Sequence, residues 1–185
     1  MVFRLRVTLS GIKGFYRVYS VSGDTTLYTL HKQLRSDLEF PQDQLIMFKA
    51  NDADGGVVAR YGLFDLGAGA VDEVSLKKAA EAGAVSFVYF YDVTNRKSVN
   101  IAIESVDEEG LGPSYPSIVD TKGPNPIEFE NGYVAFEDLP DRQRHLPGEN
   151  PFGEDDDEDD EDLEDEEEEE GDDEDGKEIY DENEA

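Results

Sequence analysis

Apolar residues at Phe3, Leu5, Val7 and Leu9 alternate with Arg4, Arg6 and Thr8, a period of two that turns one face of a strand to a core and the other to water. Ser10-Gly11-Ile12-Lys13-Gly14 is a glycine-bounded turn, and residues 15–21 read as the returning strand of a hairpin. The period then lengthens. Leu27, Leu30, His31, Leu34 and Leu38 share one face of a helix over residues 26–38, with Asp24 or Thr25 placed to cap it and Pro41 disfavouring helix at Phe40. Residues 44–49 are expected as a third strand, and 51–69 as mostly loop around a short strand near 57–61. Residues 72–82 suit a short second helix that ends at Gly83. Val85, Phe87, Tyr89 and Tyr91 alternate with Val88 and Phe90, so residues 85–91 are expected as a central strand covered on both faces. After the polar turn at Asn95-Arg96, Val99, Ile101 and Ile103 mark its partner. Residues 110–126, rich in proline and glycine, are expected to form an ordered but irregular loop. Together these elements predict an α+β domain with a mostly antiparallel sheet.

Charge divides the chain in two. The last 37 residues hold 25 of its 46 acidic residues and a single base, Lys177, so they carry about −24 of the formal −30. Acidic runs at 154–162 and 164–170 repel themselves and have almost nothing apolar to bury. The expected organisation is therefore a folded domain over 1–138, a linker over 139–153 and a disordered acidic tail over 154–185. Fully extended, the last 37 residues would reach on the order of 120 Å. A net charge of this sign opposes nucleic acid and anionic lipid and favours a basic protein partner; no direct DNA binding is expected. The first residues alternate rather than run apolar, and no stretch of the chain is apolar enough to span a bilayer, so a cytoplasmic protein is expected. With no cysteine, disulfides, thiolate metal sites and cysteine nucleophiles are excluded.

Few residues suggest chemistry. His31 lies on the apolar helix face, where an imidazole serves as a general base or, more commonly, as a partly buried structural group. Asp92 closes the most hydrophobic strand and is placed either to orient His31 or a substrate, or to cap the turn at 94–96. Tyr89 and Tyr91 line a pocket or fill the core. Asn51-Asp52-Ala53-Asp54-Gly55-Gly56 hints at a calcium loop, but Ala50 and Tyr61 stand where ligands belong, so a solvated turn is expected. His145, the second histidine, falls in the linker, which makes a two-histidine metal site improbable. No metal or other cofactor is expected. Arg4, Arg6 and Lys13 form a small basic strip, read as the solvated face of the hairpin, as an anion site, or as a rest for the tail.

The order hairpin, Leu27-x-x-Leu30-His31, Leu45 to Phe48, short helix, then Tyr89-Phe90-Tyr91-Asp92 before an alternating strand resembles the plasmid Ri ORF-three-like family, often labelled TnpR-type passenger proteins of transposons. Tyr115-Pro116, and Pro126-Ile127-Glu128 followed by Gly132, continue the match, which covers about residues 2–135 and makes Glu128 a further candidate. Two stretches depart: Val93-Thr94-Asn95-Arg96-Lys97 follows Asp92, and Phe129 and Glu130 stand where the family prefers Asp and Cys. The resemblance implies an α+β fold with a β-grasp-like hairpin–helix–strand opening and no established activity. The expectation is a non-enzymatic interaction protein. Alternatives are a mobile-element-associated nucleic-acid protein, or a small-ligand enzyme using His31 and Asp92.

Overall fold

A computed structural model describes residues 1–144. The acidic tail, His145 and most of the linker lie outside the described residues. Strand β1 (Val2–Leu9) buries Phe3, Leu5 and Val7 and turns at Gly11, whose φ of 76° suits glycine, into β2 (Ile12–Ser22). Helix α1 (Leu27–Asp37) is capped by Thr26, whose hydroxyl accepts the Thr29 N–H at 3.1 Å, one or two positions beyond the expected caps. It buries Leu27, Leu30, His31 and Leu34, and the chain leaves it through Glu39 at φ 58°. Strand β3 (Met47–Asn51) lies about three residues later than expected, because Ile46, Phe48 and Ala50 turn inward while Leu45 stays exposed. Strand β4 (Val57–Gly62) follows a turn in which Asp52 Oδ1 accepts the N–H groups of Asp54 and Gly56, as a solvated turn requires.

Helix α2 (Leu76–Glu81) is shorter than the expected 72–82, because Ser75 caps it and the preceding residues form a turn that buries Val71 and Val74. Strands β5 (Ser86–Asp92) and β6 (Lys97–Asp107) follow. The expected loop at 110–126 contains a strand that the sequence pattern does not announce, β7 (Ser117–Lys122). Helix α3 (Pro126–Glu130) begins on a proline whose missing N–H costs nothing at that position.

The seven strands form one antiparallel sheet in the order β4-β3-β5-β6-β1-β2-β7. The first hairpin thus lies between strands made late in the chain: Leu5 pairs with Tyr19 on one side and Ile103 on the other. One core joins the inward face of the sheet to α1 and α2, with Phe129 of α3 against Phe15. The opposite face is not covered as β5 was expected to be. Phe87, Tyr89 and Tyr91 are buried, but Val88 and Phe90 are only half-buried, since no second layer packs on their side among the described residues; Val85 is exposed because it precedes the strand. On that open face Arg4 and Arg6 both bond Glu104, and the Arg6 guanidinium lies 4.4 Å from the Tyr16 ring centre. The pair of arginines is partly neutralised, and Lys13 is apart from it, its backbone N–H held by Asp138. No helix of the described residues is long and apolar enough to cross a membrane.

Candidate functional site

The five candidates separate into distinct settings. His31 projects from α1 into the core, where it is 5% exposed, and its Nδ1 lies 2.6 Å from the Tyr89 hydroxyl on β5. The spacing of α1 forces this: His31 follows Leu30 and precedes Leu34 on the buried stripe. Burial, with Arg35 and Lys32 adding repulsion, pushes the imidazole pKa down to about 4. Burial likewise holds the Tyr89 phenol above its ordinary value. At neutral pH a neutral imidazole and a neutral phenol share one hydrogen bond, so this pair brings no charge into the core.

Tyr91 stacks on Phe40 with ring centres 3.8 Å apart, and its hydroxyl donates to Glu130 Oε1 at 3.3 Å. Glu130 Oε2 accepts from Lys97 Nζ at 2.7 Å. Burial first, and Glu130 second, push the Tyr91 pKa up to about 12, so its hydroxyl stays protonated and donates. A cleft of about 40 Å³ opens beside this chain between Phe40, Pro41, Pro126 and Glu130, room for little more than a water. Glu130 and Lys97 thus take part in the setting although neither was a sequence candidate; position 130 drew notice only as a departure from the family pattern.

Asp92 serves its own turn. Its carboxylate accepts the Asn95 backbone N–H at 3.0 Å and the Asn95 side-chain amide at 2.7 Å, closing the turn that carries Arg96 at φ 56°. Those bonds from Asn95 hold its pKa below the usual carboxylate range. His31 and Asp92 share no hydrogen bond, each being committed to a different partner. Glu128 is exposed on α3, and its side chain makes no hydrogen bond among the described residues. A sixth residue has a clear duty that sequence reading missed. Arg17 is 7% exposed, and its guanidinium donates to the carbonyls of Tyr16, Lys122 and Gly123 and to Asn125 Oδ1, clamping the end of β7 and the approach to α3 onto β2.

The model of the plasmid pRiA4b ORF-3-like proteins matches residues 1–184. The chain belongs to that family. The match runs beyond the motifs at 2–135 and takes in the acidic tail. Among solved structures, this pRiA4b ORF-3-like chain is similar to a protein of unknown function, MM3350, from Methanosarcina mazei Go1. The TM-score is 0.53 at 19% identity, over 70% of this chain and 78% of that one. At that identity the likeness speaks for the fold alone. No curated protein matches.

Proposed function

We propose that the protein is a non-enzymatic interaction protein of the cytoplasm, whose acidic segment attracts a basic partner and whose folded body supplies selectivity. The observation that carries this reading is the charge partition: 25 acids against one base in the last 37 residues, attached to a body whose buried apolar residues, among those described, run from Phe3 to Ala135. A field of that strength raises encounter rates with cationic surfaces and weakens as salt is added. The neutral His31–Tyr89 pair and the Asp92 turn cap are in keeping with it, since each has a structural duty.

The test is a nuclease-treated pull-down comparing the full chain with one stopped after Glu149. The expected result is a basic protein retained by the full chain, weakened by truncation and released by about 0.5 M salt. Capture that is indifferent to both salt and truncation would overturn the role of the acidic segment.

A further inference from the structure

Strand β7 pairs on one side only, with β2, so the outer edge of its backbone has no strand beside it among the described residues. The residues leading into it form a strap pinned against the sheet. A Cβ on Gly112 would fall 2.7 Å from Ser22 Cβ, and one on Gly110 would fall 2.6 Å from Asp107 Oδ2. Asp107 Oδ1 accepts the N–H groups of Glu109 and Gly110, the Met1 ammonium reaches the Gly110 carbonyl, and Pro116 is buried.

A strap fixed this firmly nevertheless holds large apolar side chains in water. Leu111 is 101% exposed and Tyr115 67%, beside Val119 at 49% and Ile118 at 40%. Two open clefts flank it. One, about 490 Å³, lies between Leu111 and Val119 over Val2 and Ser20; the other, about 420 Å³, lies between Tyr115 and the first turn of α1 at Thr26 and Thr29. Asp24 and Asp107 line these clefts, and Glu108, Glu109 and Asp120 adjoin them in the chain. The one cation lining them, Arg4, is already bonded to Glu104.

We propose that β7 and the strap before it dock an extended basic segment of a partner protein, which adds to the sheet as an eighth strand. The inference rests on the interaction reading above and gives it a place on the body. Backbone groups on the outer edge of β7 supply affinity, and the apolar side chains of the segment pack against Val119, the β7 residue that borders the first cleft opposite Leu111. Its lysines or arginines meet the acidic rim. The charge also selects the edge: β4, at the far side of the sheet, has Arg60 directly opposite Lys49, a like-charged pair that repels a basic strand, whereas the one cation of β7, Lys122, is paired with Glu137. The carboxylate rim disfavours phosphate, and a formal charge of −30 on each chain disfavours a second copy.

The test uses the full chain and a fluorescein-labelled synthetic peptide of about ten residues alternating lysine with valine, long enough to cover an edge strand. Affinity is measured in about 0.5 M salt, where attraction to the acidic segment is screened. The variant carries Leu111→Asp and Val119→Asp, both at exposed positions, with far-UV circular dichroism confirming the fold. Binding is expected to weaken about tenfold even though the variant is more negative, with amides of 117–122 gaining exchange protection only when the peptide binds the unsubstituted chain. Equal or tighter binding by the variant would overturn the docking surface while leaving charge-driven interaction intact. Self-association of the peptide-free chain through β7, or failure of the peptide to bind in any salt, would overturn it as well.

Discussion

The Tyr89 hydroxyl has a partner in His31, 2.6 Å away, whereas the equally buried Tyr19 hydroxyl has none among the described residues. Removing the first should strand an imidazole nitrogen in the core; removing the second leaves the nearby Asp37 carboxylate its bonds from Gln33. Tyr89→Phe is therefore expected to cost about 1–3 kcal/mol in urea unfolding and Tyr19→Phe to be neutral or stabilising. Equal effects would refute the distinction. His31 adds a pH dependence whose sign follows from its lowered pKa. The unfolded chain takes up the proton below about 6.5, the folded chain only near 4, so stability is lost as pH falls through that window. His31→Gln should flatten this part of the stability–pH curve relative to the unsubstituted chain, measured by denaturant midpoints. What sequence reveals at this scale depends on distance along the chain. Asp92 and its turn lie within three residues and are readable; the partners of His31 and Tyr91 come from other elements and are not.

Among the elements, α1 is legible because its apolar stripe and terminator are local, the leucines with His31 and then Pro41; its cap, Thr26, lies one or two positions past Thr25 and Asp24, three neighbours whose side chains are all able to cap. Strand β7 is not. Ile118 and Val119 are adjacent rather than alternating, and prolines and glycines surround them, so the strand exists by pairing with β2. Arg17 enforces that pairing from the far side of the chain. Arg17→Ala is expected to cost about 2–3 kcal/mol, a charged donor lost from several carbonyls, and to speed amide exchange most over 117–125. Uniform acceleration across the sheet would show that Arg17 is no local clamp. The half-exposed second face of β5 teaches a related lesson: the run at 85–91 reads as doubly covered, yet Val88 and Phe90 can sit at a sheet surface beside Lys49 without a second layer.

At the scale of the molecule, the described core and the acidic segment are separable in sequence. Since the core among the described residues runs from Phe3 to Ala135, a chain stopped after Glu149 should unfold at the same denaturant concentration as the full chain in moderate salt. At low salt it should be slightly more stable, because like-charge repulsion is relieved. A large loss of stability on truncation would mean that the segment contributes to the fold. The strand order has a further consequence, for synthesis. As the chain leaves the ribosome, β1 and β2 emerge as a hairpin with both edges bare, and β3, β4 and β5 emerge as a separate ribbon; only β6, set between β5 and β1, joins the two into one sheet. Nascent chains halted before Lys97 should therefore be protease-sensitive and held by chaperones, and release should come as the keystone strand and then β7 clear the exit tunnel.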